Sequence, residues 1–192
     1  MADRVRVGVL ISGRGSNMAS LIAASREADC PYEIVLVASN NPEAAGLAIA
    51  QQAGIATFAH PHKGMKRAEF DSMIDGALRS AGVQLIALAG YMRILSAEFI
   101  TGWQGRILNI HPSLLPLYRG LDTHQRAIEA GDAEAGCSVH VVTPELDDGP
   151  VIAQARVPIL PGDTPDSLAG RILAEEHRIY PEALAQMARK LR

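Results

Sequence analysis

The 192-residue chain is poor in several residue types, and each scarcity excludes a class of protein. Its two cysteines, Cys30 and Cys137, are too few and too far apart for a disulfide framework or a zinc knuckle, so both are expected to be ordinary core or near-core residues. Charged residues make up only 20% of the sequence, the formal net charge is −3, and no dense run of Lys or Arg would follow a polynucleotide backbone. A nucleic-acid partner is therefore not expected.

The sequence also lacks a long hydrophobic run. The longest apolar stretch, 83-VQLIALAGYMRIL-95, contains Gly90 and Arg93 and is shorter than the roughly 18 residues that span a bilayer. The apolar N-terminal segment is typical of a strand entering a glycine-rich turn, not of a signal peptide. These features predict a cytoplasmic protein with no membrane partner. Hydrophobic residues make up 48% of the chain, which predicts a single domain, residues 1–192, with one sizeable core.

Short apolar runs alternate with helical patterns through most of the chain. Strands are predicted at 5–11, 33–39, 55–60, 83–90 and 106–111, and helices at 17–28, 42–54, 66–82 and 96–103. Pro42 suits the first turn of its helix and Gly54 the C-terminal cap. Apolar strands separated by helices indicate a parallel sheet that is covered on both faces.

The C-terminal part has a different pattern. After a helix at 124–131, two β-rich runs at 137–143 and 151–159 flank a turn, which predicts an antiparallel excursion at the end of the sheet. A last helix over 164–191 is expected to bend or break near Pro181. The predicted fold class is α/β, with a single open, mostly parallel, Rossmann-like twisted sheet flanked by helices and an antiparallel C-terminal strand region.

The first strand leads into the glycine-rich turn 12-SGRGSN-17. One interpretation is a tight turn in which Ser16 or Asn17 caps the helix. The other is a phosphate monoester held by the backbone amides of Gly15, Ser16 and Asn17. A dinucleotide such as NAD is not favoured, because a third glycine is missing and residues 39–41 at the end of the second strand include no acid.

The segment 108-LNIHPSLLP-116 ends a buried strand with an amide and an imidazole. Asn109 and His111 share a strand face, so their N–H groups can meet at one point and stabilise a developing oxyanion. A structural Asn–His pair that bonds the following loop is the alternative. The turn 144-PELDDGP-150 offers Asp147 and Asp148, either of which could orient the histidine, although a solvated turn would also carry such a pair.

A covalent nucleophile is not indicated by this pattern. Ser113 is not in a GxSxG motif, and Cys137 opens a strand. Direct attack by an amine or by water on a carbonyl carbon is therefore the simpler hypothesis.

Six segments together resemble the folate-dependent formyltransferases, specifically the phosphoribosylglycinamide formyltransferase family. They are 13-GRGSN-17, 90-GYMRILS-96, 108-LNIHPSLLP-116, 120-GLDTH-124, 138-SVHVVTPELDDGPVI-152 and 175-EEHRIYP-181. The resemblance covers about the whole chain. It implies transfer of a formyl group from 10-formyltetrahydrofolate, acting as co-substrate, to the amine of glycinamide ribonucleotide in purine synthesis, with no metal and no NAD.

The resemblance also implies roles for particular residues. Asn109, His111 and Asp147 would be catalytic. The nucleotide substrate would contact Gly15, Ser16, Asn17, Gly120 and Glu176. The formylfolate would contact Arg67, Met92, Arg93, Ile94, Leu95, Asn109, Val142, Thr143 and Asp147. The N-terminal half would thus bind the nucleotide, and the C-terminal half the folate and the catalytic residues, in a monomer or a homodimer.

Plainer interpretations compete for some of these residues. Met92, Ile94 and Leu95 would be core or pocket wall in any such fold, Arg67 a surface charge, and Glu176 a solvated helix residue paired with Arg178 or Lys190. His140 could be a core residue. Two positions depart from the family pattern: Asp148 stands where many relatives have a small residue, and Arg119 where some have proline.

Other functions would use the same catalytic chemistry or the same kind of sheet. A formyltetrahydrofolate hydrolase would use the same catalytic set with water as the nucleophile, so the phosphate turn distinguishes the two. Methionyl-transfer-RNA formyltransferase and formyltetrahydrofolate deformylase would need further domains. A noncatalytic nucleotide sensor would not need Asn109, His111 and Asp147 together.

Overall fold

A computed structural model describes residues 4–192 of the chain. In this described part, seven strands form one sheet: β1 (Val5–Ile11), β2 (Tyr32–Ser39), β3 (Ala56–Ala59), β4 (Leu85–Leu88), β5 (Ile107–His111), β6 (Glu134–Val141) and β7 (Val151–Pro158). Six α-helices accompany them within the same residues: α1 (Ser16–Ser25), α2 (Ala45–Gln52), α3 (Arg67–Ser80), α4 (Ala97–Gly102), α5 (Thr123–Glu129) and α6 (Pro165–Lys190).

The strand order is β3-β2-β1-β4-β5-β6-β7. The first five strands run parallel, while β6 pairs antiparallel with β5 and β7 antiparallel with β6. This confirms the predicted fold class, including the antiparallel strands at the C-terminal end of the sheet. The order of the strands along the sheet changes direction between the neighbouring strands β1 and β4. In open α/β sheets, ligands bind at the carboxyl ends of the strands at such a point.

The core forms a layer on each face of the sheet. Alternate residues of β1 supply both layers: Val7 and Val9 point to the layer under α1, α2 and α6, and Leu10 to the layer under α3 and α4. Both faces of each central strand are covered, and for this reason the strands are almost continuously apolar in the sequence. Cys137 is buried and Cys30 half-buried, both as free thiols, which confirms their prediction as core or near-core residues.

The last helix is not broken at Pro181. Helix α6 continues over 26 residues with Pro181 inside it. The proline removes one helical hydrogen bond, but the neighbouring Tyr180 is fully buried and its hydroxyl donates to the carbonyls of Leu88 (2.8 Å) and Leu108 (3.1 Å). These contacts and the buried side chains of Ile179 and Leu184 anchor the helix on both sides of the proline.

Pro42 does not begin the second helix, contrary to the prediction. Helix α2 starts at Ala45, because the Asn41 side chain accepts a hydrogen bond from the amide of Glu43 and forms a separate turn before it. Gly54, with a φ of 77°, does follow the end of α2 as predicted. Within residues 4–192, no helix is both long enough and apolar enough to cross a membrane.

Candidate functional site

The three residues predicted to be catalytic lie together, joined by His140. The β5–β6 register places Asn109 opposite His140. Asn109 Nδ2 lies 3.2 Å from His140 Nε2, which in turn lies 3.6 Å from Asp147 Oδ1. The other carboxylate oxygen of Asp147 lies 3.4 Å from His111 Nδ1. We call Asn109, His140, Asp147 and His111 the polar quartet.

His140 is the member whose role the sequence analysis left open. Its side chain is only 3% exposed. It faces Asn109 because the two residues are direct partners across an antiparallel pair, whose side chains project to the same face. The signal in the sequence was the alternation along β6, and interpreting it required the register with β5.

Asp147 is held as a carboxylate by its surroundings. Its side chain is 9% exposed, its φ of 49° turns the backbone sharply, and Oδ2 accepts a hydrogen bond from the Gly120 amide at 3.0 Å. Burial raises the pKa of Asp147, but hydrogen bonds from His140 and Gly120, together with electrostatic interaction with His111 and His140, outweigh it and hold the pKa below its ordinary value. A negative charge is therefore present between the two imidazoles at neutral pH.

His111 has both ring nitrogens engaged. Nε2 lies 2.9 Å from the carbonyl oxygen of Tyr118. Because a carbonyl can only accept, Nε2 carries a proton, and Nδ1 faces Asp147. The loop 112–123 is thus fastened to the polar quartet at two neighbouring points, the Tyr118 carbonyl and the Gly120 amide.

Asp148 does not share the task of Asp147. Its carboxylate forms an ion pair with the guanidinium of Arg119, and both side chains are more than two-fifths exposed. Of the two aspartates between which the sequence could not decide, Asp147 is the one that contacts His111. Arg119 and Asp148, the two positions expected from the sequence to depart from the family pattern, are partners of each other.

The glycine-rich turn places the start of α1 at the carboxyl end of β1. Gly15 is the N-cap residue and has a φ of 74°, and a Cβ there would lie 2.9 Å from Gly46 Cα. Glycine is therefore required by both backbone conformation and space. Ser16 is exposed at the first helical position, where free amides and the helix dipole favour an anion.

Asn17 is not a helix cap, contrary to one interpretation of the turn. Its Nδ2 instead donates to Glu176 Oε2 at 2.7 Å, and both side chains are buried. Glu176 is consequently not the solvated helix residue that the plainer interpretation supposed; Arg178 pairs with Glu175. Burial raises the pKa of Glu176, and the hydrogen bond from Asn17 only partly offsets this.

The segment 91–96, between β4 and α4, alternates in exposure. Met92 is 72% and Ile94 55% exposed, while Leu95 is 6% exposed and the Arg93 side chain 14%. The amide of Met92 donates to Ser12 Oγ at 2.8 Å, which joins this segment to the glycine-rich turn. Two exposed apolar side chains beside a buried polar site are suited to contact a flat, partly apolar ligand.

The remaining predicted contact residues lie on two other segments. Arg67 is exposed as the first residue of α3, and Val142 and Thr143 are half-buried directly after β6. The Val142 amide is bound to the Ile107 carbonyl at 2.9 Å, which fixes the start of the 142–150 loop. Throughout residues 4–192, no cluster of three or more His, Cys, Asp or Glu side chains has the arrangement needed to hold a metal ion.

Sequence reasoning missed a second polar chain at this edge of the sheet. Ser12 Oγ donates to Asn40 Oδ1 at 2.6 Å, and Asn40 Nδ2 lies 3.1 Å from His62 Nδ1. No period or motif in the sequence links these residues, because they follow three different strands. They join the glycine-rich turn to the loops that follow β2 and β3.

Comparison with known proteins identifies the class. A family model described as formyl transferase matches residues 5–184. The chain therefore belongs to the formyl transferase family, which confirms the resemblance found in its motifs.

Individual relatives are more specific. The crystal structure of phosphoribosylglycinamide formyltransferase from Brucella melitensis is 52% identical, with a TM-score of 0.93, over 97% of this chain and 96% of that one. Phosphoribosylglycinamide formyltransferase of Escherichia coli is 44% identical over 96% of this chain and 87% of that protein. The trifunctional purine biosynthetic protein adenosine-3 of Drosophila melanogaster is 49% identical over 96% of this chain. The chain spans between 14% and 19% of the length of such trifunctional relatives.

Proposed function

We propose that the chain transfers a formyl group from 10-formyltetrahydrofolate to the primary amine of glycinamide ribonucleotide, a step of purine biosynthesis. The observation that carries the proposal is the polar quartet, in which Asp147 lies between two imidazoles and next to the amide-bearing Asn109. Relatives that match nearly their whole length carry the name of this activity.

The nucleotide end of the site is proposed at the glycine-rich turn. The amides of Gly15, Ser16 and Asn17 would hold one phosphate, because they open a helix of ten residues and Gly15 brings the backbone close. Gly120 and Glu176 would contact the ribose and glycinamide portion. Glu176 is well suited to an amine or hydroxyl, since a buried carboxylate with one remaining oxygen favours a further donor.

The folate end is proposed along the segment 91–96 and the start of the 142–150 loop. Met92, Ile94 and Leu95 would supply the wall, with Arg93 contributing through its backbone because its side chain points away. Val142, Thr143 and Asp147 would close the opposite side. Arg67, exposed at the start of α3, would meet the negatively charged tail of the folate.

The proposed reaction passes through a tetrahedral intermediate. The amine nitrogen forms a bond to the formyl carbon, and the former carbonyl oxygen becomes an oxyanion. Asn109 Nδ2 and the protonated imidazole of His111 stabilise this charge, and Asp147 keeps that imidazole oriented and positive. A proton leaves the attacking nitrogen and reaches the departing folate nitrogen as the carbon–nitrogen bond to the folate breaks.

His111 must exchange one partner to take part. Its Nε2 proton is bound to the Tyr118 carbonyl in this structure. The exchange requires a small shift of the loop 112–123, whose length and composition permit such motion. The chain is further proposed to act in the cytoplasm, as one domain, with small molecules and neither nucleic acid nor a membrane as partners.

The test combines the protein with 10-formyltetrahydrofolate and measures release of tetrahydrofolate. Release that depends on glycinamide ribonucleotide, and falls strongly when the unphosphorylated glycinamide riboside replaces it, is the expected result. Equal release without any amine would instead indicate a hydrolase. Equal use of the riboside would remove the role of the glycine-rich turn in phosphate binding.

A further inference from the structure

The segment 91–96 is fixed to helix α3 by a buried polar contact. Asp71 Oδ2, on α3, accepts a hydrogen bond from the Ser96 amide at 2.6 Å. The Arg93 guanidinium lies over the ring of Phe70, 4.7 Å from its centroid, and Arg93 Nε lies 4.0 Å from Asp71 Oδ1. Phe70 and Asp71, consecutive residues of α3, therefore contact the segment at Arg93 and at Ser96.

The surroundings of this contact exclude water. Asp71 is 1% exposed, and its side chain and that of Arg93 lie against the core layer under α3 and α4. Within residues 4–192, Asp71 Oδ1, Arg93 Nε and Tyr91 Oη are buried without a hydrogen-bond partner. Burial and the nearby charge of Asp71 raise the pKa of the Tyr91 phenol, which therefore stays protonated. Opposite charges attract more strongly in such a setting than on a surface, and removal of one partner leaves the other buried without a counter-charge.

The alternation of the segment follows from this contact. Arg93 turns inward to Phe70 and Asp71, and its neighbours Met92 and Ile94 point outward. Those two side chains are the exposed apolar ones at the proposed folate site. A helix on one face of the sheet thus determines which side chains and which backbone groups the segment presents to a ligand.

We propose that Asp71 is a positioning residue for the formyl donor, acting through Arg93 and the Ser96 amide on the segment 91–96. Asp71 does not touch the ligand itself. This inference rests on the proposed function and adds to it a residue whose loss affects one substrate and not the other. Glu176 and the amides of Gly15, Ser16 and Asn17 lie outside the segment, and the Met92 hydrogen bond that joins it to the glycine-rich turn ends on the Ser12 side chain, so Asp71 does not act directly on the groups proposed to bind the nucleotide.

The test replaces Asp71 by asparagine. The amide oxygen can still accept from the Ser96 amide, so the fold is retained, but the charge opposite Arg93 is lost. The KM for 10-formyltetrahydrofolate is expected to rise about tenfold, the effect of losing one charge-assisted contact. The KM for glycinamide ribonucleotide and kcat are expected to stay within about twofold.

Asp75→Asn is the matched control. Asp75 lies one turn further along α3, accepts from the indole nitrogen of Trp103 at 2.6 Å and pairs with Arg79 at 2.9 Å. It therefore joins α3 to the end of α4 without contacting the segment 91–96. Its replacement is expected to lower stability while leaving the KM for the donor unchanged. The proposal would be overturned if the KM for the donor rose equally in both variants. It would also be overturned if Asp71→Asn raised the KM for both substrates equally, or left the KM for the donor unchanged.

Amide hydrogen exchange gives a readout that needs no turnover. In the free protein, exchange in residues 91–96 is expected to be faster in Asp71→Asn than in the wild type and unchanged in Asp75→Asn. Unaltered exchange in Asp71→Asn would refute the positioning role whatever the enzyme does. If the wild-type protein does not transfer the formyl group, the proposed function is wrong. If the wild type is active and the Asp71→Asn variant binds the donor normally, only the inference about Asp71 is wrong.

Discussion

Replacement of Asp147 by asparagine removes the negative charge of the polar quartet and keeps its shape. The carboxylate lies 3.4 Å from His111 Nδ1. At an effective dielectric constant of about 20, two unit charges at that separation attract by roughly 5 kcal/mol. The amide dipole retains part of this, so we expect a loss of about 3 to 4 kcal/mol of transition-state stabilisation and a fall in kcat of roughly 200- to 1000-fold.

The neighbouring Asp148→Asn is the matched control, since it makes the same chemical change one residue away. Asp148 is exposed and paired with Arg119, an arrangement that contributes about 0 to 1 kcal/mol. Its kcat should therefore change by no more than about fivefold. The assay is single-turnover formation of tetrahydrofolate, with circular dichroism to verify folding. Comparable losses in the two variants would refute the assignment of Asp147, and not Asp148, as the carboxylate that serves His111.

The pH dependence of stability gives a second readout for Asp147. Its folded-state pKa is lowered, so the carboxylate stabilises the fold above the unfolded-state value of about 3.9, and this contribution is lost as the pH falls through the folded-state pKa. The asparagine variant should lack that acid-dependent loss, as measured by urea unfolding across the acidic range. An unchanged acid dependence would contradict the lowered pKa.

Three further predictions concern residues outside the polar quartet. Burial raises the pKa of Glu176, so its protonated side chain contributes to stability below about pH 4.3, and this contribution is lost as the pH rises through the folded-state pKa. In urea unfolding over that pH range, Glu176→Gln should therefore lose less stability than the wild type. An equal loss in both proteins would contradict the raised pKa. Gly15→Ala should cost about 1 to 2 kcal/mol for the positive φ alone, and more from contact with Gly46; a stability equal to the wild type would refute the packing argument. Tyr180→Phe should lower the unfolding free energy by about 1 to 3 kcal/mol, because the single hydroxyl proton shared between two buried carbonyls is lost, and an unchanged value would contradict the anchoring role.

The architecture could be predicted from the sequence because it depends on local periodicity. Apolar runs of strand length alternating with helical patterns specify a parallel sheet whatever the side chains at its edge. Local rules failed where tertiary contacts override them. Pro181 lies in a continuous helix because Tyr180 is anchored in the core, and Pro42 precedes its helix because Asn41 forms a turn first.

The candidate site was predictable to the extent that its residues belong to motifs. Asn109 and His111 share a strand face, and the resemblance selected Asp147. Other features depend on the register between strands and on contacts between distant segments. They are the direction of Asp148, the bridging position of His140 and the inward turn of Arg93. Asn17 illustrates the same limit, since its apparent capping role disappears once α6 brings Glu176 beside it.

The central proposal is that the polar quartet and the glycine-rich turn together direct the formyl group to the amine of glycinamide ribonucleotide and not to water. The most direct measurement follows one preparation by mass spectrometry with 10-formyltetrahydrofolate and glycinamide ribonucleotide, counting formylated ribonucleotide, formate and tetrahydrofolate together. We predict one formylated ribonucleotide for each tetrahydrofolate released, with no formate beyond that of an enzyme-free control. Formate in place of the formylated ribonucleotide would contradict the account.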